Sequence, residues 1–173
     1  MHECPVCGVN SWTIVYAGPV RIGRGDAELS SQIFGCNECG IQALNPEDRV
    51  SDQSYVTDEY RHGLGQGFDL EGYQREHDRL VPYALNLVNN VDLRNKIIAD
   101  IGCAGGSLLD HAYGLASRCL GVDPCRHWAP DLVNRGYEWF ESNKELLNKY
   151  RGEIDIVFSC QVIEHVNNPK EFL

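Results

Sequence analysis

Short apolar runs alternate with helical patterns over the second half of the chain. Four of these runs predict β-strands, at residues 97–101, 118–122, 137–140 and 154–159. Helices are predicted between and after them, at residues 107–114, 126–135, 143–150 and 169–173. Strands that alternate with helices form parallel sheets, and the β-branched residues of the fourth run are typical of a buried parallel strand. The pattern therefore predicts an α/β fold.

A longer helical pattern precedes this region. Its members recur at steps of three and four residues, at Tyr73, His77, Leu80, Val81, Ala84, Leu85 and Val88. Such spacing places side chains on one face of a helix. We predict one helix from residue 72 to residue 88 that packs on the sheet, with a kink at Pro82.

The first 46 residues follow a β pattern instead. Strand-like runs at residues 12–16 and 31–34 flank a glycine-rich turn at residues 23–26, which predicts a β-hairpin. A polar connector follows, in which three side chains stand out, Tyr55, Tyr60 and Arg61. These residues are interpreted either as a buried aromatic anchor between modules or as a lid over a substrate.

The hairpin module also carries a repeated cysteine motif. The sequence C-x-x-C-G occurs twice, and its four cysteines are Cys4, Cys7, Cys36 and Cys39. Two such knuckles supply four thiolates, which form the closed tetrahedral shell of a structural zinc site with no open position for water. A redox dithiol pair, or four buried thiols without metal, are the alternatives. We predict a zinc-ribbon-like module in which His2 is solvated rather than a ligand.

Composition and charge narrow the functional classes. The chain has 173 residues, of which 43% are hydrophobic and 23% charged, so one ordinary domain or two small ones with a real core are expected. The net charge of −10 argues against charge-driven nucleic-acid binding. No apolar stretch approaches the roughly 20 residues of a membrane span, and no secretory signal pattern is visible. Paired cysteines without a signal indicate a reducing compartment, and we expect the cytoplasm.

The most informative chemistry lies at the end of the first α/β strand. That strand leads into the turn Gly-Cys-Ala-Gly-Gly at residues 102–106, and the next strand ends in Asp123. Glycines in such a turn let a ligand approach the backbone, and an acid at the tip of the next strand can hold a ribose diol. The glycine spacing differs from that of dinucleotide-binding turns. Asp100 repels a pyrophosphate but suits a cationic ligand such as a sulfonium amino acid.

These residues resemble class I S-adenosylmethionine-dependent methyltransferases. The resemblance rests on motifs in the family's order, at residues 99–106, 121–124, 155–159 and 162–166. With the cysteine module added, the chain is similar to bacterial methyltransferases that carry an N-terminal four-cysteine zinc module, several of which act on sugars. The resemblance implies a Rossmann-like sheet with strand order 3-2-1-4 and methyl transfer to a small molecule, expected to be a sugar or nucleotide-sugar.

The resemblance also implies roles for individual residues. The expected cofactor-binding residues are Asp100, Gly102, Cys103, Ala104, Gly105, Asp123, Pro124, Ser142 and Gln161. Asp100 and the glycine turn would face the methionine end of the cofactor, and Asp123 would take both ribose hydroxyls. Ser142 would lie by the adenine and Gln161 under the sulfonium. The alternatives are that Asp100 is a helix-capping acid and that Asp123 with Pro124 only forms a turn.

The residues after the fourth strand bear on metal binding and catalysis. Some methyltransferases with the sequence E-x-x-E-H at this point bind magnesium. Here Gln161 replaces the first acid, so no metal is expected beside Glu164 and His165. His165 is the one candidate general base, with the alternative that it only orients the loop.

The sequence divides into three predicted modules, a zinc ribbon over residues 1–46, a connector with a helix over 47–92, and half of a methyltransferase domain over 93–173. The family fold has seven strands and this chain has sequence for about four, so we expect an incomplete enzyme with weak cofactor binding and little turnover. Self-association through the exposed edge of the fourth strand is expected, and nucleic-acid or membrane partners are not. The competing interpretation is a non-catalytic zinc-ribbon scaffold fused to a cofactor-binding half-fold.

Overall fold

The computed structural model describes residues 3–21, 28–57, 59–63, 67, 69–87 and 91–172. His2, the predicted turn at 23–26 and Val88 lie outside the described residues. The chain divides into two compact units. We call Met1–Ser54 with Glu164–Leu173 the ribbon unit, and Tyr55–Ile163 the sheet unit. The module boundaries at residues 46 and 92 stay predictions.

The ribbon unit contains an antiparallel sheet of three strands. They are β1 (Trp12–Arg21), β2 (Glu28–Cys36) and β3 (Gln42–Leu44), in the order β1-β2-β3. Trp12 lies opposite Cys36 and Arg21 opposite Glu28, with a register shift between Ile14 and Tyr16. Both long strands extend further than predicted, because their pairing continues from Tyr16 opposite Ile33 to Arg21 opposite Glu28.

Short helical segments complete the ribbon unit and begin the connector. A 3-10 turn at Pro46–Asp48 is followed by α1 (Asp52–Val56) and α2 (Glu59–Gly63). Near the end of the chain, a 3-10 turn at Ile163–His165 precedes α8 (Pro169–Phe172).

The predicted single helix from residue 72 to residue 88 is wrong. The structure has two helices, α3 (Leu70–His77) and α4 (Val81–Leu87). Helix α3 begins early because Asp69 caps it, accepting a hydrogen bond from the Gly72 amide at 2.8 Å. The chain breaks before Pro82 because proline lacks an amide hydrogen and its ring excludes the carbonyl four residues earlier, that of Asp78.

The sheet unit is built on a parallel sheet of four strands. They are β4 (Ile97–Ile101), β5 (Arg118–Val122), β6 (Glu138–Phe140) and β7 (Ile156–Phe158), in the order β6-β5-β4-β7. All three pairings are parallel, with Ile97 opposite Arg118 and Ile98 opposite Ile156. The predicted α/β fold with a parallel sheet is confirmed.

The last two strands of this sheet are shorter than predicted. Tyr137 stays outside β6 because its amide closes the preceding helical turn on the Leu132 carbonyl. Asp155 stays outside β7, and its carboxylate accepts a hydrogen bond from the Ile97 amide at 2.9 Å.

Helices connect these strands and cover the sheet. They are α5 (Ser107–Ala112), α6 (Ala129–Asn134) and α7 (Asn143–Tyr150). The helix predicted at 126–135 begins instead as a 3-10 turn, Arg126–Trp128. The helix predicted at 107–114 stops at Ala112, and Gly114 has a left-handed φ of +84°. The largest fully buried side chains among the described residues are Trp128, Ile98, Leu109, Leu120 and Leu132. None of the described helices is long and apolar enough to cross a membrane.

Candidate functional site

The four motif cysteines converge at one point of the ribbon unit. The Sγ atoms of Cys4 and Cys39 lie 3.6 Å apart, as do those of Cys7 and Cys36. All four sulfurs lie within 4.8 Å of one another. A tetrahedral zinc ion with bonds of about 2.3 Å holds its sulfurs about 3.8 Å apart, so the cluster has the dimensions of such a site.

The two knuckles share one local geometry. In each, the glycine after the second cysteine donates a hydrogen bond to the carbonyl of the first cysteine, Gly8 to Cys4 at 2.8 Å and Gly40 to Cys36 at 3.0 Å. Both glycines are left-handed, with φ of +78° and +75°. The Cys39 amide, followed by that of Glu38, lowers the pKa of Cys36 to about 7, whereas burial and the neighbouring thiols raise the pKa of Cys7.

The second candidate site is the turn between β4 and α5 in the sheet unit. Its amides are held by neighbouring backbone, since those of Gly102 and Cys103 both donate to the Val122 carbonyl at 2.7 and 3.1 Å. Three of its residues are left-handed, Gly102, Ala104 and Gly106, with φ of +78°, +44° and +80°. A left-handed alanine is uncommon and carries a small steric cost, which is typical of a constrained functional turn.

Two buried acids flank this turn, and their hydrogen bonding differs. Asp123 is 8% exposed, and its carboxylate accepts hydrogen bonds from the amides of Ala104 at 2.8 Å and Cys125 at 2.9 Å. Asp123 therefore forms the turn that the alternative interpretation proposed, and it also fixes the glycine loop. Asp100 is 5% exposed, and none of the described residues donates a hydrogen bond to its carboxylate. It is not a helix cap.

The electrostatics of the two acids follow from this burial. Burial, followed by the charge of Asp123, raises the pKa of Asp100 to about 8. Burial also raises the pKa of Asp123, although the amides of Cys125 and Ala104 and the charge of Arg61 act in the opposite direction. Two anions in a dry environment are unfavourable together, so a bound cation would stabilise the ionised pair.

A third buried polar group adjoins the turn. Ser107, the first residue of α5, is 2% exposed, and its hydroxyl has no hydrogen-bond partner in the described part of the chain. Buried polar groups are nearly always paired, so the unpaired Ser107 hydroxyl indicates a place for a polar ligand.

The glycines of the turn also have a packing role that the sequence did not predict. A Cβ atom added at Gly102 would overlap Val162, and one added at Gly105 would overlap the ring of Tyr73. The structure therefore fills these two glycine faces with the chain's own side chains, rather than leaving them open for ligand approach as predicted.

The Tyr73 ring belongs to an aromatic cluster that sequence reasoning missed. It stacks on His77 at a centroid distance of 3.9 Å and lies 5.1 Å from the ring of Trp128. The Arg61 guanidinium lies 5.1 Å from the Tyr73 ring and 4.8 Å from that of Trp128. The Arg61 guanidinium therefore packs against two aromatic rings of the sheet unit. Helical periodicity marked Tyr73 only as a core position, and no spacing links it to Gly105.

The other predicted site residues are distributed as follows. Cys103 is 2% exposed, and burial raises the pKa of its thiol. The Ser142 hydroxyl accepts a hydrogen bond from the Glu145 amide at 3.3 Å and so caps α7. Gln161 is exposed and left-handed, with a φ of +58°, and His165 is exposed within its 3-10 turn. Pro124 directly follows Asp123 and is half-buried.

Comparison with known proteins shows that the chain is similar to methyltransferases. The family model described as a methyltransferase domain matches residues 69–173. The mitochondrial ubiquinone biosynthesis O-methyltransferase of Rattus norvegicus is 29% identical over 106 residues, which cover 56% of this chain and 31% of that protein. The enzyme of the same name from Shewanella halifaxensis is 25% identical over 118 residues, which cover 61% and 49%. The chain thus spans a third to a half of these relatives.

Among solved structures, a magnesium protoporphyrin IX methyltransferase from Synechocystis PCC 6803 with bound SAM has a TM-score of 0.41 and 18% sequence identity. The similarity covers 69% of this chain and 66% of that one. That likeness is too distant to bear on function.

Proposed function

We propose that this chain, which belongs to the methyltransferase domain family, binds S-adenosylmethionine and transfers its methyl group to a small molecule. The observation that carries the proposal is the Asp100 carboxylate, which is buried beside the glycine turn without a hydrogen-bond donor. A buried carboxylate without a partner costs free energy, and a sulfonium amino acid supplies the missing positive charge and ammonium donors.

The remaining polar groups of the turn fit the same ligand. A carboxylate has about four acceptor positions, and Asp123 uses two of them for the Ala104 and Cys125 amides, so two are left for ribose hydroxyls. Ser107 supplies a further hydroxyl. We assign the methionine end to Asp100 and the glycine turn, and the sulfonium side to Gln161. The adenine side is assigned to the turn at Ser142, whose hydroxyl itself caps α7.

The cofactor would supply an activated methyl group: an oxygen, nitrogen or carbon nucleophile would bond to the methyl carbon in line with the carbon–sulfur bond, which breaks and releases S-adenosylhomocysteine as the neutral leaving group. The protein then contributes chiefly orientation, together with a base where the acceptor is weakly acidic. His165 is the candidate base. Methyl transfer from labelled cofactor is to be measured with His165→Gln beside wild type, and an unchanged rate removes His165 from this role.

Calorimetry tests the cofactor proposal on the full chain. Asp100→Asn keeps the shape of the side chain and removes its charge, whereas Asp123→Ala also releases the turn and is less informative. We expect Asp100→Asn to weaken binding of the cationic S-adenosylmethionine at least about tenfold more than binding of S-adenosylhomocysteine, which lacks the sulfonium charge. Asp78→Asn, an exposed acid of the same unit, is the matched control. No heat with either compound contradicts the proposal.

The acceptor class is a separate question. Sugars and nucleotide-sugars follow from the resemblance of the whole chain to zinc-bearing bacterial methyltransferases, whereas the relatives' names point to ubiquinone biosynthesis. We propose a carbohydrate acceptor. Its test is methyl transfer to a panel of nucleotide-sugars and of ubiquinone-biosynthesis intermediates, and product formed only with the latter overturns it.

We further propose that Cys4, Cys7, Cys36 and Cys39 hold one structural zinc ion. The dimensions of the sulfur cluster and its duplicated knuckles support this. Purified protein is expected to contain one zinc per chain by elemental analysis, and Cys36→Ser to lose most of it. Cys160→Ser, which changes an exposed cysteine outside the cluster, is expected to keep full occupancy. A wild-type protein without zinc after growth in zinc-supplemented medium contradicts the assignment.

A non-catalytic scaffold is the second candidate function. Tyr73 on the face of Gly105 favours it, because a turn filled by the chain's own side chains has less need of a ligand. The scaffold predicts no calorimetric response to either cofactor form and no dependence on Asp100.

A further inference from the structure

Arg135, just after α6, is joined to the glycine turn by its side chain. Its Nη2 donates a hydrogen bond to the Gly105 carbonyl at 2.5 Å, and its Nη1 lies 2.6 Å from each carboxylate oxygen of Asp110. The planar guanidinium fork therefore links a backbone oxygen of the turn to an acid on α5.

Asp110 is itself held in place by two further donors. The Tyr137 hydroxyl donates a hydrogen bond to the Asp110 carboxylate at 2.5 Å, and the side-chain amide of Gln74 donates another at 3.1 Å. Gln74 lies on α3 next to Tyr73, whose ring covers Gly105. Elements before, within and after the turn thus meet at one half-buried carboxylate, and the two bonds from this carboxylate to Arg135 Nη1 fix the guanidinium.

The peptide between Gly105 and Gly106 is clamped at both ends. Its carbonyl accepts from Arg135, and its amide, that of Gly106, donates to the Cys103 carbonyl at 2.8 Å. Glycine at 106 makes the approach feasible, since an added Cβ would lie 2.6 Å from Leu132 Cδ2 and 3.3 Å from Arg135 Nη2.

We propose that Arg135 is a positioning residue of the cofactor site, which acts through the Gly105 carbonyl to hold the turn in its binding conformation. The expected effect of Arg135 on cofactor affinity rests on the proposed function. Its effect on the conformation of the turn rests on the structure alone. Without the fork, the two glycines regain backbone freedom that ligand binding must remove. Because the Gly106 amide keeps its bond to the Cys103 carbonyl, the added freedom is that of about one residue, which corresponds to a loss of affinity of about tenfold.

Binding of S-adenosylhomocysteine to the full chain by calorimetry gives the first measurement. Arg135→Lys keeps the charge but cannot bond Asp110 and Gly105 as a fork, and about tenfold weaker binding is expected. Tyr137→Phe is the matched control, because it removes one hydrogen bond to Asp110 and leaves the Arg135 to Gly105 bond intact. The affinity of Tyr137→Phe for S-adenosylhomocysteine is expected to stay within twofold of the wild-type affinity, even where its free energy of unfolding falls. Equal losses in both variants, or none in Arg135→Lys, overturn the proposal.

The amide 15N shift of Gly106 in the ligand-free protein gives the second measurement. This nitrogen adjoins the carbonyl that Arg135 bonds, so its shift is expected to move in Arg135→Lys and not in Tyr137→Phe. An unmoved shift in Arg135→Lys overturns the clamp. A wild type that binds no cofactor refutes the proposed function, while the Gly106 shift still decides whether Arg135 fixes the turn. Asp110→Asn, with the same two measurements, replaces Arg135→Lys if that variant does not fold.

Discussion

At the scale of single residues, Asp100 and Asp123 have the same side chain in the same turn region and different hydrogen bonding. Two amides donate to Asp123, so the backbone itself stabilises its charge. Asp100 has no donor among the described residues, and burial raises its pKa to about 8. Asp123 therefore stabilises the turn, whereas Asp100 is the acid that the proposed function assigns to the ligand.

The raised pKa of Asp100 predicts that cofactor binding releases a proton. Free protein below pH 8 carries this carboxyl mostly protonated, and a bound sulfonium cation favours its ionised form. Close to one proton per bound S-adenosylmethionine is expected at pH 6.5, with the number falling as the pH rises above 8. Calorimetry in buffers of different ionisation enthalpy measures it. Release that persists in Asp100→Asn would assign the proton to another group.

The same group predicts how stability changes with pH in the absence of ligand. Burial raises the pKa of Asp100 from 3.8 to about 8, so the stabilisation it contributes is complete below pH 4 and is lost as the pH rises through 8. Between pH 5 and pH 8, the free energy of unfolding of wild type is expected to fall by about 2–4 kcal/mol relative to Asp100→Asn. Denaturant titrations at both pH values measure this difference. Parallel curves for the two proteins contradict the prediction.

The sequence predicted the acids and glycines of the turn because they lie within two adjacent motifs. It did not predict Tyr73 or Arg135, since each reaches the turn through tertiary packing. Arg135 lies 30 residues from Gly105, and the bond between them depends on where α6 ends against α5. Neither residue type carries a spacing signal of its own. Local patterns therefore indicated the candidate site and left the contacts that support the turn undetermined.

At the scale of elements, the prediction succeeded where two local signals agreed. Strands β4 and β5 and helix α7 have the predicted bounds, because apolar runs end at glycines or acids and a serine opens the helix. The helix predicted at 72–88 failed because its apolar periodicity continues across the break before Pro82. Apolar periodicity indicates which face of a helix is buried, but it does not register a missing backbone hydrogen bond. The proline was therefore the better guide to where the helix ends.

Helix α7 offers a test of a single cap. The Ser142 hydroxyl accepts from the Glu145 amide, and the Glu145 carboxylate accepts from the Glu141 amide. Ser142→Ala is expected to lower the free energy of unfolding by about 1 kcal/mol, and Ser142→Asp to retain it. Because the cap engages the hydroxyl, affinity for S-adenosylhomocysteine is expected to change less than twofold. A large loss of affinity at unchanged stability would instead place Ser142 against the nucleoside.

At the scale of the whole molecule, the two units are stabilised by different means. Of the buried apolar residues described, only Cys4 and Cys36 belong to the ribbon unit, whereas the sheet unit has a contiguous core around Trp128 and Leu109. A small β module without such a core gains much of its folding free energy from a metal. The sequence indicated this division through its cysteines. It left the packing of the connector undetermined, because polar residues there carry little periodicity.

Strand β7 is the edge of the parallel sheet in the described part of the chain, and from this exposed edge we predict self-association. Its outer backbone groups are unpaired within that part, and Val157 on it is 58% exposed. An exposed apolar edge templates pairing with a second copy, and a charge placed on it opposes that pairing. Val157→Lys is therefore expected to shift wild-type protein toward monomer in sedimentation velocity at matched concentrations. Val133→Lys is the control, because Val133 is also 58% exposed but lies on α6, where no strand edge is available. A monomeric wild type, or an equal shift in both variants, would remove β7 as the interface.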